Sequence, residues 1–262
     1  MTANPVYKPF LTLKTTLPTN KLMTALSLKN LVKIYNGKTV VNKADITVNQ
    51  GRVTGLLGPN GAGKTTTFYM AVGMIRPDSG SVYLDKEDIT HYPMYIRARK
   101  GIGYLPQENS IFKKLTVKEN ITAILEVLPR NGQDIQTKAA DLMQELGISH
   151  LSRQKAASLS GGERRRLEIS RVLATDPLFI LLDEPFAGID PLAVIDIQQI
   201  ITQLTDRNIG VLISDHNVRE TLGVCDHACI MNQGVVIESG TPDTIIASDI
   251  AKKIYLGENF RL

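Results

Sequence analysis

One short stretch of the chain combines glycines, a lysine and a threonine at a spacing that suits phosphate chemistry. Residues 58–65 read GPNGAGKT and match the pattern G-x-x-x-x-G-K-[ST]. The glycines let backbone N–H groups turn inward around a polyphosphate. Lys64 would place its charge on the β- and γ-phosphates, and the Thr65 hydroxyl would bind Mg²⁺.

This loop predicts a nucleoside-triphosphate site, and the alternative is a chance glycine turn. An apolar strand is expected before the loop and a helix after it, which is the context that the motif requires. The strand and helix make the chance alternative less favoured. The nucleotide-binding residues predicted here are Gly58, Asn60, Gly61, Ala62, Gly63, Lys64, Thr65 and Thr66.

Two adjacent carboxylates follow an apolar stretch much later in the chain. Residues 179–184 read FILLDE, which predicts a buried strand with Asp183 and Glu184 at its carboxyl end. Asp183 would hold Mg²⁺ through water, and Glu184 would act as general base toward an attacking water. The alternative is that the pair merely ends a strand before Pro185. The phosphate loop favours the catalytic interpretation, with Lys64 as a further catalytic residue.

A third segment of interest contains a serine followed by two glycines. Residues 159–163 read LSGGE and lead into a helix that begins with three arginines. Backbone N–H groups at a helix N-terminus bind anions, so this segment could form a second phosphate site outside the first loop. The alternative is an ordinary helix cap.

The elements that must position these groups alternate between strands and helices. This alternation predicts an α/β fold with a largely parallel sheet. Residues 115–172 look mostly helical and interrupt the alternation, as an inserted subdomain would. Strands are predicted at 53–57, 81–84, 178–182 and 209–214, a hairpin at 228–232 and 235–239, and helices at 64–74 and from Pro191 after an Asp190 cap.

Composition excludes several classes of protein. The net charge of the 262-residue chain is +4, and residues 1–22 hold three lysines and no acid, so the remainder lacks a basic stripe for nucleic acid. The longest apolar runs have five residues, whereas a membrane span needs roughly 20. We therefore expect no direct span. Cys225 and Cys229 suit a reducing compartment as buried thiols; a metal site is the less favoured alternative.

In combination, these motifs resemble those of the ATP-binding-cassette (ABC) ATPases, whose signature is LSGGE. The resemblance covers about residues 25–262. It implies that Tyr35 stacks on adenine and that Gln107 contacts Mg²⁺ and water and senses a transmembrane partner. It also implies that His216 is a catalytic residue that contacts the γ-phosphate. Residues 187–190 (AGID) occupy the family's D-loop and keep its aspartate.

The resemblance implies a fold and a mechanism. The fold is a P-loop NTPase with a RecA-like core of mainly parallel sheet, an antiparallel β subdomain and an inserted helical subdomain at about 108–172. The ATPase domain would span 23–262, after a mobile N-terminal extension at 1–22. Two copies would enclose two ATP molecules with Mg²⁺, each ATP held by the phosphate loop of one copy and by Ser160, Gly161 and Gly162 of the other.

Hydrolysis would then drive two separate transmembrane permease subunits, with this chain peripheral on the cytoplasmic face of a bacterial inner membrane. Within the family, longer stretches are similar to the ATPases of lipopolysaccharide export, and the alternative is the ATPase of a branched-chain amino-acid importer. By this similarity Phe112 would line a groove for the permeases, or else pack in the core, and residues 255–262 would steady the dimer. The stretches are residues 55–70, 98–117, 158–171, 179–197, 215–220 and 255–262.

Overall fold

A computed structural model describes residues 24–129, 131–188, 191–257 and 260 of the chain. The predicted extension at 1–22 and the Asp190 cap lie outside these residues. The strands are β1 (Ala25–Tyr35), β2 (Lys38–Asn49), β3 (Val53–Leu57), β4 (Ser79–Leu84), β5 (Glu87–Asp88), β6 (Ile102–Leu105), β7 (Phe179–Asp183), β8 (Gly210–Ser214), β9 (His227–Asn232) and β10 (Val235–Gly240).

The helices connect these strands, with a helical segment between β6 and β7. They are α1 (Lys64–Val72), α2 (Met94–Arg99), α3 (Val117–Leu125), α4 (Gly132–Glu145), α5 (Gly161–Leu173), α6 (Pro191–Asp206), α7 (Val218–Leu222), α8 (Pro242–Ala247) and α9 (Asp249–Ala251). Short 3₁₀ turns lie at Ser149–Leu151 and Ala156–Ser158, and a π-helical turn follows α9 at Lys252–Leu256.

Two sheets form the framework. The larger has the order β10-β9-β3-β8-β7-β6, in which β9 to β6 run parallel and β10 pairs antiparallel with β9. The smaller sheet, of order β2-β1-β4-β5, is antiparallel throughout. The predicted α/β fold with a mainly parallel sheet and an antiparallel sheet beside it is confirmed.

Helical spacing predicts the buried face of α6, and the structure confirms it. The five residues at that spacing are at most 7% exposed, and all but Ala193 belong to a core cluster that includes residues of β7 and β8; they are Ala193, Ile197, Ile200, Ile201 and Leu204. The predicted hairpin also forms, because Gln233 and Gly234 both adopt positive φ, 47° and 84°, as a two-residue hairpin turn requires.

Some predicted boundaries are wrong by one or two residues. The helix predicted to reach Met74 ends at Val72, because Gly73 adopts a left-handed conformation (φ 82°) and its N–H donates to the Tyr69 carbonyl. The strand predicted at 178–182 lies instead at 179–183, because its pairing with β6 begins at Phe179, opposite Ile102. Asp183 is therefore part of the strand.

Arg97 fixes the end of α1 from inside the protein. Its side chain is 1% exposed, and it donates to the carbonyls of Met70 and Ala71 (2.7 Å each) and of Thr90 and Tyr92 (2.9 Å each). The last carbonyls of a helix have no donors within the helix, and the Arg97 guanidinium donates the missing hydrogen bonds to Met70 and Ala71. Burial lowers the pKa of Arg97 to about 10, which leaves it charged at neutral pH.

We expect Arg97→Met to reduce the free energy of unfolding by about 3 kcal/mol, because it leaves buried carbonyls without donors. Urea denaturation of the variant and the parent measures this difference. Arg99→Met is the matched control, since Arg99 is exposed on the same helix, and its expected change is below about 0.5 kcal/mol. An equally small change in Arg97→Met would show that the buried guanidinium does not stabilise the fold.

Candidate functional site

The predicted phosphate-loop and catalytic residues come together at one edge of the parallel sheet. The carboxyl ends of β3, β8, β7 and β6 are neighbours there, and the residues after each strand carry the polar groups. Loops at this edge of an open α/β sheet are where ligands bind. The strand order thus brings together the phosphate loop, Asp183 and Glu184, His216, and Gln107.

The loop between β3 and α1 has a backbone that only glycine tolerates at two positions. Gly58 has φ 146°, and a Cβ there would lie 2.0 Å from the Met231 carbonyl oxygen. Gly63 has φ 105°, and a Cβ there would lie 2.7 Å from the Val40 carbonyl oxygen. Glycine at these two positions therefore allows the backbone conformation that leads into the N-terminus of α1, where N–H groups attract anions.

Lys64 begins α1 and reaches back over this loop. Its Nζ donates to the carbonyls of Gly58 (2.7 Å) and Pro59 (3.1 Å). Burial lowers the pKa of Lys64, and the nearby carboxylates of Glu184, Asp215 and Asp183 oppose that shift. The ammonium therefore lies between the phosphate loop and three acids.

Asp183 lies in a crowded acidic environment. Burial, followed by the negative charge of Glu184, raises its pKa to about 6. The Tyr104 hydroxyl donates to Asp183 Oδ2 over 3.4 Å and partly offsets this shift. A cation beside Asp183 would stabilise its charged form and so lower this pKa.

Glu184 has the most unusual backbone of the site. Its φ is 46°, in the left-handed region that non-glycine residues rarely occupy, and its N–H donates to the Ser214 carbonyl over 2.6 Å. Gln107 Nε2 donates to Glu184 Oε2 over 2.6 Å, and His216 Nδ1 lies 3.6 Å from the same oxygen. The structure therefore brings these three predicted side chains together.

Sequence reasoning missed Asp215, which holds two loops of the site in place. Its carboxylate is fully buried and accepts from the N–H of Phe186 (3.0 Å) and of Asn217 (2.8 Å). The loop after Glu184 is thereby tied to the loop that carries His216. The available signal was an acid directly after a fully buried strand, where an unpaired charge would be costly.

The signature residues form a separate site at the N-terminus of α5. Ser160 caps this helix in a capping box with Glu163: Glu163 N donates to Ser160 Oγ (3.4 Å), and Ser160 N donates to Glu163 Oε2 (2.8 Å). Ser160, Gly161 and Gly162 line a cavity of about 350 Å³, which shares no lining residue with the phosphate loop. Ser160 therefore caps α5, and the same helix N-terminus borders this cavity.

Tyr35 lies at the end of β1 in the antiparallel sheet. It is 43% exposed, so part of its ring is accessible to a planar ligand, and Lys33 Nζ lies 5.4 Å from the ring centroid. Tyr35 thus belongs to the antiparallel sheet, whereas the phosphate loop follows β3 of the larger sheet.

An apolar groove lies beside Gln107. A cavity of about 580 Å³ is lined by Tyr69, Met74, Met94 and Gln107, among others. Phe112 is 45% exposed and lies under the Arg171 guanidinium, 4.5 Å from ring centroid to Cζ. The alternative that Phe112 packs in the core is wrong.

The C-terminal segment approaches this site from within the same chain. The Tyr255 hydroxyl donates to the His216 carbonyl over 3.4 Å, and Tyr255 packs against an apolar cluster that includes Leu57. Residues 258, 259, 261 and 262 of the segment predicted to steady a dimer lie outside the described residues.

Comparison with known proteins identifies close relatives over most of the chain. The profile of the family described as "ABC transporter" matches residues 41–187. The lipopolysaccharide export system ATP-binding protein LptB of Escherichia coli (strain K12) is 54% identical over 241 residues, which cover 92% of this chain and 100% of that protein. LptB of Acidithiobacillus ferridurans is 51% identical over 237 residues, covering 90% and 98%.

Solved structures share the fold. The ADP conformation of an ATP-binding cassette of an ABC transporter superposes with a TM-score of 0.83 at 31% identity, covering 90% of this chain and 100% of that one. The cassette CbiO1 from Clostridium perfringens, described as part of an ABC transporter complex, gives 0.79 at 27% identity, covering 89% and 95%.

Proposed function

This chain belongs to the ABC transporter family and is an ATPase, and from that premise we propose that it powers lipopolysaccharide export through separate transmembrane subunits. The observation that supports lipopolysaccharide as the cargo is the 54% identity to LptB over that protein's whole length. The alternative of a branched-chain amino-acid importer is not favoured by these relatives. ATP hydrolysis would take place at the edge of the parallel sheet that holds the phosphate loop and Glu184.

The ATP phosphates would bind in the loop before α1. The backbone N–H groups of residues 60–66 and the α1 dipole would neutralise the phosphates, and Lys64 would leave its two carbonyl partners for the β- and γ-phosphates. Tyr35, exposed at the end of β1, would stack on adenine.

The residues around Lys64 fit a Mg²⁺ ion. The Thr65 hydroxyl, the Gln107 amide oxygen and the Asp183 carboxylate are hard oxygen donors, which Mg²⁺ prefers. A cation would also relieve the crowding of negative charge that raises the pKa of Asp183. Thr65 and Gln107 would hold the ion directly, and Asp183 would hold it through water. When bound, Mg²⁺ neutralises charge on the transferred phosphoryl group.

Glu184 would act as general base. A water molecule attacks the γ-phosphorus, its proton passes to the Glu184 carboxylate, and the bond from the γ-phosphorus to the β–γ bridging oxygen breaks, giving ADP and phosphate. Gln107 and His216, which both approach Glu184 Oε2, would orient this oxygen. The constrained backbone of Glu184 fits such a role, because strained residues persist where the surrounding structure holds them.

A second copy would complete each site. Ser160, Gly161 and Gly162 line a cavity apart from the phosphate loop, so their helix N-terminus is available to the γ-phosphate of a partner's ATP. ATP would join the copies because both contribute positive groups to it. After hydrolysis ADP and phosphate no longer bridge them, and the dimer opens.

The movement would reach the permeases through the groove beside Gln107. We assign the helical subdomain to about 108–172, since α3, α4 and α5 pack into one apolar cluster between β6 and β7. The groove, whose lining includes Arg171, would receive the permease subunits together with exposed Phe112, which contacts Arg171. Among the described residues no helix is long and apolar enough to cross a bilayer. Attachment to the cytoplasmic face of the inner membrane would therefore depend on these subunits.

We expect Glu184→Gln to lower the ATP turnover of the purified chain by about 10²- to 10³-fold, because the amide cannot accept the proton. ATP affinity should stay within about twofold, since the phosphate loop is untouched. Phosphate release and calorimetric titration measure the two quantities. Glu126→Gln, at an exposed position after α3, is the matched control. Parental turnover in Glu184→Gln would exclude Glu184 as the base.

We expect the tagged full chain to co-purify from solubilised membranes with permeases of the lipopolysaccharide-export type, identified by mass spectrometry. Phe112→Asp should lose these partners, because it places a charge beside the apolar groove, yet it should hydrolyse ATP at the parental rate in isolation. Amino-acid permeases in the place of the expected partners would overturn the proposed cargo. Full capture by Phe112→Asp would overturn the docking site.

A further inference from the structure

Lys33 contacts the ring of Tyr35 on its own strand and the segment that holds Arg76 and Asp78. Its side chain is only 15% exposed. Nζ donates to the Arg76 carbonyl (2.8 Å) and to Asp78 Oδ1 (2.9 Å), and it lies 5.4 Å from the Tyr35 ring centroid. An ammonium has three N–H groups, and the two acceptors and the ring face account for all three.

Asp78 makes this arrangement rigid. Its second oxygen, Oδ2, accepts from the Ile34 N–H over 2.6 Å, and its own N–H donates to the Val32 carbonyl over 2.8 Å. The hydrogen bond from Ile34 and the Lys33 ammonium lower the pKa of the Asp78 carboxyl, which therefore stays charged at neutral pH. The residues on both sides of Lys33 are thus fixed to the turn before β4.

These contacts join the end of β1 to the connection between α1 and β4. Arg76 and Asp78 follow α1, the helix that begins with Lys64 of the phosphate loop. Tyr35 ends β1, which lies next to β4 in the antiparallel sheet. The Lys33 contacts therefore help to set the distance between the aromatic ring and the loop. That distance decides whether the base and the phosphates of one nucleotide can bind simultaneously.

We propose that Lys33 is a positioning residue for nucleotide binding, which holds Tyr35 at the place where its ring meets the adenine base. This inference rests on the proposed stacking role of Tyr35. The ammonium acts through the ring and touches neither phosphate nor reacting atoms. Its loss should therefore weaken recognition of the base and leave recognition of the polyphosphate unchanged.

Calorimetric titration of the full-length chain with MgATP and with magnesium tripolyphosphate tests this separation. We expect Lys33→Met to weaken MgATP binding by about 3- to 10-fold and to leave tripolyphosphate binding within about twofold. KM for ATP should rise by the same factor with kcat unchanged, because uniform binding is lost. Lys29→Met, exposed on the same strand, is the matched control and should change neither. Asp78→Asn, which removes the anchoring charge and one of the two carboxylate acceptors, should give a loss of the same kind.

Combination with Tyr35→Ala separates this inference from the proposed function. If Lys33 acts through the ring, the double variant should bind MgATP no more weakly than Tyr35→Ala alone. An equal loss from Lys33→Met in both backgrounds, or an equal loss of tripolyphosphate binding, would overturn the positioning role. Unchanged MgATP affinity in Lys33→Met beside a loss in Tyr35→Ala would overturn it alone. Unchanged affinity in Tyr35→Ala would overturn the stacking role, and the positioning role with it.

Discussion

The arrangement of four parallel strand ends at one sheet edge determines where every catalytic candidate lies. β3, β8, β7 and β6 are adjacent, and each delivers one group: the phosphate loop, the Asp215–His216 pair, Asp183 with Glu184, and Gln107. The strands are short and fully buried, apart from partly buried Tyr104, so they cannot slip without exposing apolar side chains. The charges that a phosphate site needs are concentrated at this edge and lie close together.

This concentration of charge has a physical consequence. Three carboxylates surround one lysine, and burial of Asp183 beside Glu184 raises its pKa to about 6. The edge therefore has an excess of negative charge, which a bound divalent cation would offset. The remaining groups suited to phosphate, at the start of α5, line a different cavity. The two sets of groups that we propose to bind one polyphosphate thus lie on two surfaces of the chain.

Local patterns in the sequence predict the parts of the fold that depend on neighbours along the chain. The phosphate loop, the buried face of α6 and the hairpin turn at Gln233 and Gly234 follow from spacing and glycine chemistry. The long bulged strands β1 and β2 were harder to predict, because register shifts between Leu28 and Ile34 interrupt the alternation of buried and exposed residues.

Contacts between distant segments could not be predicted from sequence. The positive φ of Glu184 accompanies a hydrogen bond to Ser214 on the adjacent strand, and Asp215 accepts from the N–H of Phe186 after Glu184 and of Asn217 in its own loop. Arg97 and Lys33 each satisfy carbonyls of a segment that only the folded sheet order brings near. Such residues are ordinary in the sequence and acquire their roles through topology.

The dependence of ATPase activity on protein concentration tests the central claim, that the nucleotide is enclosed by two copies of the chain, most directly. Phosphate release per chain is measured over a dilution series, with the oligomeric state followed by light scattering. The account predicts that the rate per chain falls in proportion to concentration once dimers dissociate. A constant rate per chain in a protein shown to be monomeric would contradict it.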